Sequence, residues 1–410
     1  MKIAIVISQL NNKSGGAIGV AFNEAQELQK KGHHVFVFHG SYDGKFGWDK
    51  VHGLDVFRIK IKDRSWFFRS YVSVFNRNIE AGFDSFLKEV SPEIVHFHNL
   101  YYHFPFSLIK ISKKRKIKTF FTAHDVMSFY YGKLWEFINP NKLSVDNKFN
   151  YKISLLKQIK RFGKMYNPFR NLFIRYYLKY SDKIFAVSYS LKEALNQNKI
   201  NNVEVIYNGI DYSNWRIGNE EVINFKKKYN LENKKIVLFA ARLSPLKGAG
   251  NLIKAMEKVT EDVPDVCLLL MGEKNNYFSK LSKLVKKNEI PVIFTGWLKG
   301  DDLISAYYSC NLAVTPSLYL DPFNLINIEA MAAKKPVVGT CFGGTSEIVI
   351  NNKTGYIVNP YNIDQLAEKI VTLLKNPAKA EKFGQAGYML VKNKFSLQRQ
   401  IENYLKFFRG

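Results

Sequence analysis

The chain has 410 residues, is 46% hydrophobic and 15% aromatic, and carries 61 Lys and Arg against 35 Asp and Glu, a formal net charge of +26. That length exceeds one ordinary core and predicts two domains, and the composition excludes a disordered chain. The excess of cations, most of it within residues 1–190, favours an anionic partner (nucleic acid, anionic lipid or a phosphorylated ligand), although a lysine-rich surface also simply solubilises a chain.

The first element is "KIAIVIS". Its apolar run is too short for a signal peptide and is followed by polar residues, so it reads as a strand. An amphipathic helix, "GVAFNEAQELQKKG", ends at Gly32, and "HVFVFHG", "IVHFHN", "KTFFTAHD" and "KIFAVS" are further strands. A second series runs through "KIVLFAAR", "VCLLLMG", "VIFTGW", "LAVTPS" and "PVVGT", with helices around 250–260, 278–288 and 301–309, another opening near Leu325, and one from Asp364 to Lys375. Strands alternating with helices predict parallel sheets with crossover helices, and two series predict two Rossmann-like, doubly wound α/β domains. The joint is expected between Tyr207 and Leu231, where polar residues interrupt the pattern. This gives domains at 1–205 and 206–390, with 391–410 as a helix returning to the first. Ligands of such sheets sit beyond the carboxyl ends of the strands. There the sequence puts Ser8, His98, His124, Ser188, Arg242, Gly272 and Pro316, which predicts a cleft between the domains. No run reaches the roughly 18 apolar residues of a membrane span. Cys267, Cys310 and Cys341 are too scattered for a disulfide framework or zinc site, as expected of a cytosolic enzyme.

Chemistry concentrates in "PSLYLDPFNLINIEAMA". Asp321 and Glu329 flank a helix opening whose first amides, at Phe323, Asn324 and Leu325, suit a phosphate. Arg242 ends a strand and Lys247 lies five residues on, so the two supply a fork and a point charge for a diphosphate. Carboxylates on either side accept hydroxyls, which gives the order sugar, diphosphate, nucleoside, with Asp321 at the sugar and Glu329 at the ribose. The competing reading is an acid favouring the helix dipole plus a surface glutamate.

The segment "DPFNLINIEAMAAKKPVVGTCFGGTSEIVINNKTGYIVNP" resembles the signature region of retaining glycosyltransferases of family 4, which have the GT-B fold. "SGGAIGVAFNEAQELQKKGHHVFVF", "PEIVHFHN", "TAHD", "AVSYSLKEAL", "VIYNGID" and "ARLSPLKG" are similar to family segments in family order. The resemblance implies that Arg242 and Lys247 bind the donor diphosphate and that Glu329 binds ribose. It implies that Gly343, Gly344 and Glu347 line the donor side, and that Gly15 and Gly16 approach the phosphate and acceptor. His124 would lie near the donor sugar; read alone, it is as well a core histidine bonded to Asp125 or backbone. Asp321 stands where the family has Glu and would hold sugar hydroxyls. Asn324 stands where Gly is usual, and it can cap the helix or take left-handed angles.

The implied reaction moves a hexose from a nucleoside-diphosphate sugar to an acceptor hydroxyl with retention, the catalytic set being His124, Arg242, Lys247 and Asp321. Closure of the domains would exclude water. No cofactor and no metal are expected. There is no D-x-D, and His96 and His98 share a strand face without a third ligand visible in the sequence. An epimerase of the same fold, a phosphorylase or a nucleic-acid-binding protein are the alternatives. A phosphorylase should be much longer, and no nucleic-acid motif is present.

Residues 147–181 hold nine Lys and Arg, no acid, and interleaved aromatics. Lys157, Lys160, Arg161 and Lys164, with Lys113, Lys114 and Arg115 of "SKKRK", form a candidate patch for an anionic membrane surface and a saccharide or lipid-linked acceptor. Helices with a basic wet face and an aromatic core fit the same pattern, and nucleic acid fits it less well. The resemblance then implies cytoplasmic work at the inner face of the cell membrane in polysaccharide or glycolipid assembly.

Overall fold

The computed structural model describes residues 1–8, 16–61, 68–101, 103–145 and 148–410. The chain forms two compact units. The first comprises Met1–Leu134, Asn150–Asn208 and Leu397–Gly410. The second comprises Trp135–Phe149 and Gly209–Ser396. This differs from the sequence expectation in two places. Residues 135–149 belong to the second unit, where Phe137 and Phe149 pack on Phe342 and Asn359 bonds the carbonyls of Lys142 and Ser144. The returning segment begins at Leu397, because Pro377–Lys394 is one continuous helix of the second unit.

The first unit is built on strands β1 (Lys2–Ile7), β2 (His34–Ser41), β3 (Gly47–Val51), β4 (Leu54–Lys60), β5 (Ile94–His98), β6 (Lys118–Ala123), β7 (Lys183–Ala186) and β8 (Val203–Val205). They form one sheet in the order β3-β4-β2-β1-β5-β6-β7-β8, parallel except for β3 against β4. Its interior strands are buried on both faces, as a sheet covered by helices requires. Helix Gly16–Lys30 buries Val20, Ala21, Ala25 and Leu28 against it, and helix Leu397–Arg409 adds Ile401, Tyr404 and Phe408 to the same core.

The second unit holds β9 (Lys235–Ala240), β10 (Val266–Met271), β11 (Val292–Gly296), β12 (Leu312–Thr315), β13 (Val337–Thr340) and β14 (Gly355–Val358). The order is β11-β10-β9-β12-β13-β14, all parallel. Helices Ala249–Asp262 and Ile363–Lys375 supply Leu252, Met256, Leu366 and Ile370 to its core. In both sheets the strand order reverses, between β1 and β5 and between β9 and β12. A doubly wound sheet opens a crevice at such a point.

Candidate active site

At the β9/β12 switch point the turn after β9 and the loop after β12 interlock. Gly248, at φ 81, opens helix Ala249–Asp262, and a Cβ there would lie 1.9 Å from the Pro316 carbonyl oxygen. The Leu318 amide donates to the Leu246 carbonyl at 2.8 Å, which fixes the stretch bearing Lys247 beside the loop bearing Asp321. Lys247 Nζ donates to Asp321 Oδ2 at 2.7 Å, and Ser317 Oγ donates to the same oxygen at 2.8 Å. Burial opposes the charge on Lys247, but the Asp321 carboxylate outweighs it and raises the lysine above its ordinary value. Tyr319 lies under the Lys247 ammonium, and burial pushes its hydroxyl up to about 12.

The backbone of Asp321 is held from the other side by the Gly343–Gly344 pair. Asp321 and Gly343 form a parallel bridge, and the Gly344 amide donates to the Asp321 carbonyl at 2.9 Å. Gly343 has φ 80, and a Cβ on it would sit 2.2 Å from that carbonyl oxygen. Helix Leu325–Ala332 starts directly after this junction. Asn324 occupies its N-cap with φ −82 and ψ 100 and makes no side-chain cap bond. It therefore uses neither of the two options expected for it, a side-chain cap or left-handed angles, and the amides of the first turn carry no side-chain cap. The helix is anchored through the fully buried Asn327, whose side chain bonds Thr315 and Thr345.

Glu329 lies one turn along, and the Tyr307 hydroxyl donates to its carboxylate. Burial raises the Glu329 pKa, while the tyrosine bond works against that rise. Arg242 follows β9 and is exposed, with no ion pair among the described residues. The structure thus brings Arg242, Lys247, Asp321, Phe323, Asn324, Leu325, Glu329, Gly343 and Gly344 to one end of one sheet. The sequence missed Ser317, Tyr319 and Tyr307, the groups that hold the two carboxylates and the lysine in place. No period or motif marks them; they are found only when the loops are folded together.

In the first unit, Gly15 lies outside the described residues, and Gly16 begins helix Gly16–Lys30. His124 lies just past β6, with its amide on Asn99 and its ring Nε2 2.9 Å from His98 Nδ1. Its ring bonds a second histidine, not Asp125. Behind it, Glu24 Oε1 lies 2.6 Å from His96 Nδ1 and Glu24 Oε2 lies 3.3 Å from His98 Nε2. Glu24 is the third group that His96 and His98 lacked in the sequence, and one ligand atom from each lies within 4.8 Å of the others. All three are buried; Glu24 Oε1 and His96 Nδ1 are bonded, whereas Glu24 Oε2 and His98 Nε2 are in contact without a hydrogen-bond partner. A carboxylate within the apolar stripe of the first helix was the available signal.

In the candidate patch, Lys114, Lys157, Lys160, Arg161 and Lys164 are exposed. Lys113 pairs with Asp182 and Arg115 with Asp84, so those two are partly neutralised.

Two doubly wound parallel-sheet units, with cations, acids and a bare helix N-terminus at one strand end, define the GT-B glycosyltransferase class. The chain belongs to the family-4 glycosyltransferases: residues 14–214 match the family model described as "Glycosyltransferase Family 4" and residues 221–389 match "Glycosyl transferases group 1". Relatives include "Spore coat protein SA" of Bacillus subtilis, 30% identical over 50% of this chain and 58% of that protein. Another is "N-acetyl-alpha-D-glucosaminyl L-malate synthase" of Bacillus anthracis, 28% identical over 58% of this chain and 62% of that protein. The chain spans about half the length of the curated relatives it matches. Among solved structures, sucrose-phosphate synthase from Thermosynechococcus elongatus has a similar fold, with TM-score 0.76 at 20% identity over 100% of this chain and 98% of its own. Anabaena Alr3699/HepE in complex with UDP and glucose has TM-score 0.73 at 16% identity over 100% of this chain and 99% of its own.

Proposed function

We propose that the protein is a retaining hexosyltransferase that takes its sugar from a nucleoside diphosphate and passes it to an acceptor hydroxyl without a metal ion. The observation that carries this reading is the β9/β12 cluster: exposed Arg242 and the Lys247–Asp321 pair beside the uncapped start of helix Leu325–Ala332. The binding of UDP and UDP-glucose by the fold relative from Anabaena supports the donor class. In the proposed reaction the bond between the anomeric carbon and the diphosphate oxygen breaks, and its electron pair leaves with the diphosphate. The acceptor oxygen attacks the same face, and its proton passes to the departing phosphate. Positive charge develops on the sugar and negative charge on the diphosphate. Arg242, Lys247 and the amides near Leu325 gain most as that charge appears, the electrostatic job a metal would otherwise do. One such contact is worth about 3 kcal/mol, or roughly a hundredfold in rate. Asp321 takes hydroxyls of the sugar and Glu329 takes the ribose.

A thermal-shift panel of UDP-glucose, GDP-mannose and ADP-glucose, followed by NMR of the product anomer and assay in EDTA, tests this reading. Stabilisation by one nucleotide sugar, a retained anomer and EDTA-resistant turnover are expected. Turnover of the nucleotide sugar to an epimer without acceptor would assign the alternative.

A second part of the proposal concerns place. Helices Leu155–Phe162 and Arg170–Leu178 are not wet outside and aromatic inside. Arg170 is fully buried, bonded to Ser73 and Met127, whereas Leu156 (76%), Phe169 (63%) and Leu172 (58%) are exposed. Apolar groups standing out beside Lys157, Lys160, Arg161 and Lys164 suit an anionic bilayer, with the apolar groups at headgroup depth. Among the described residues no helix is long and apolar enough to cross a membrane. We assign the protein to the inner membrane face, acting on a lipid-linked or saccharide acceptor in cell-surface polysaccharide or glycolipid assembly.

A further inference from the structure

We propose that Phe137 and Phe149 are positioning residues for the donor sugar, acting through Phe342 on the Gly343–Gly344 turn that holds Asp321; the inference rests on the placement of Asp321 at the sugar proposed above. Both rings lie on segment Trp135–Phe149, which is part of the second unit although the chain on either side of it, at Leu134 and Asn150, belongs to the first. Two seats hold the segment. Just past β14, the buried Asn359 side chain donates to the carbonyls of Lys142 and Ser144 at 2.8 and 3.0 Å. Just past β13, the buried Phe342 is covered by the half-buried rings of Phe137 and Phe149, at centroid distances of 6.0 and 5.8 Å. Those two rings lie 5.1 Å apart, and all three pairs meet edge to face, an arrangement that aromatic rings prefer.

Phe342 is where this packing meets the site. Two consecutive glycines have no side chains to lock them, and glycine backbone is the most permissive of all. The turn at Gly343, with φ 80, is therefore fixed from its flanks. On the carboxyl side stands Thr345, fully buried and bonded by Asn327. On the amino side stands Phe342. Its amide donates to Thr340 Oγ1 at 3.2 Å, and that hydroxyl donates to the Ser317 carbonyl at 2.8 Å. Ser317 in turn donates to the Asp321 carboxylate. A displaced Phe342 thus reaches Asp321 by two routes, through the bridge from Gly343 to the Asp321 backbone and through Thr340 and Ser317 to its carboxylate. Glu329 and the helix that bears it have supports of their own in Tyr307 and in the bond between Asn327 and Thr315. Loss of the two rings should therefore disturb the sugar end of the site and spare the nucleoside diphosphate.

Glycine labelled with 15N and carbonyl 13C gives a coupled NMR signal only at Gly–Gly amides, of which the chain has two, Gly16 and Gly344. The Gly16 signal is identified by its loss in Gly16→Ala. In the wild type the Gly344 amide, bonded to the Asp321 carbonyl at 2.9 Å, should exchange slowly with solvent. Phe137→Ala with Phe149→Ala should shift that signal and speed its exchange about tenfold, while the Gly16 signal stays in place. Turnover, kcat, of the nucleotide sugar found active in the panel should fall about tenfold, short of the roughly hundredfold that a misplacement of about 1 Å costs. The Kd of the matching free nucleoside diphosphate should not move. Phe137→Leu with Phe149→Leu keeps apolar bulk over Phe342 and should show both effects at smaller size; it carries the test if the alanine pair fails to fold. An unmoved Gly344 signal in the folded variants overturns the inference. Equal losses of nucleoside diphosphate affinity and turnover overturn it as well, since they would make the segment a general support of the unit. A loosened Gly344 with unchanged turnover instead refutes the placement of Asp321 at the donor sugar.

Discussion

Lys247 and Asp321, 74 residues apart in sequence, form an ion pair of 2.7 Å in which the two side chains are only 14% and 5% exposed. Ser317 Oγ donates to the same carboxylate oxygen. Lys247→Ala removes the cation that neutralises the nearly buried Asp321 carboxylate, which should cost about 3 kcal/mol of stability. Asp321→Asn in the same background removes the orphaned charge and should regain most of that loss, while neither variant transfers sugar. Urea denaturation of the two variants checks the first claim and a donor assay the second. A Lys247→Ala protein as stable as wild type would show that the pair is not coupled as drawn.

Glu329 gives a pH dependence whose sign can be worked out. Burial favours its neutral form, so its folded pKa is raised above that of the unfolded chain. Its contribution to stability is present below the unfolded value and is lost as pH rises through the folded one. Recognition of ribose hydroxyls needs the ionised form and turns on across that same interval. Affinity for the nucleoside diphosphate should therefore strengthen as pH rises through and above the ordinary carboxylate range. Glu329→Gln should bind about tenfold more weakly and without that slope. Calorimetric titration over a pH series reads both. Equal slopes for the two proteins would remove Glu329 from the binding site.

Gly343→Ala should damage the donor site by moving Asp321 and not by blocking the ligand. The new methyl would meet the Asp321 carbonyl oxygen at 2.2 Å, and the residue's φ is 80. Gly296 makes an internal control, since it has φ 78 and nothing within 4 Å of an added Cβ. Gly296→Ala pays only the left-handed backbone cost, about 1 kcal/mol, whereas Gly343→Ala should lose at least twice that together with donor affinity. Melting temperatures and donor Kd of the two variants decide it; matching losses would mean that the Asp321 contact relaxes freely.

Much of the fold was legible because interior parallel strands are nearly continuous apolar runs: β1, β5, β9 and β10 read directly. The β3–β4 hairpin did not. Asp49 and Lys50 suit β3 as the edge strand, Asp55 and Arg58 lie on β4 inside it, and these charges blur the pattern; the two-residue turn His52–Gly53, with φ 49 and 82, was the signal passed over. The donor-side residues were legible because they lie on short loops with fixed spacing. Their holders were not: Ser317, Tyr319 and Tyr307 act through partners that no spacing reveals. Residues 135–149 read as part of the first domain because chain order alone cannot show that Phe137 and Phe149 meet Phe342.

The exposed apolar groups sharpen the test of membrane docking. Lys110 Nζ donates to the Tyr176 hydroxyl at 2.6 Å, which joins the helix bearing Lys113 and Lys114 to the helix bearing Leu172 and Phe173. The face thus has two separable parts, cations and apolar groups, and each should leave its own signature. Changing Lys157, Lys160, Arg161 and Lys164 together to Gln removes four charges, each worth about 1 kcal/mol near an anionic surface. Co-sedimentation with anionic liposomes should then be lost, and high salt should mimic the change on the wild type. Changing Leu156, Phe169 and Leu172 to Ser instead removes exposed apolar area that the bilayer would bury. Binding should weaken at every salt concentration while its salt dependence stays as in the wild type. Neither set touches the β9/β12 cluster, so turnover of a water-soluble acceptor analogue should continue in both. A wild-type protein that ignores anionic liposomes at low salt would reject the membrane surface, and retention on an anionic polymer by the same cations would identify the alternative partner.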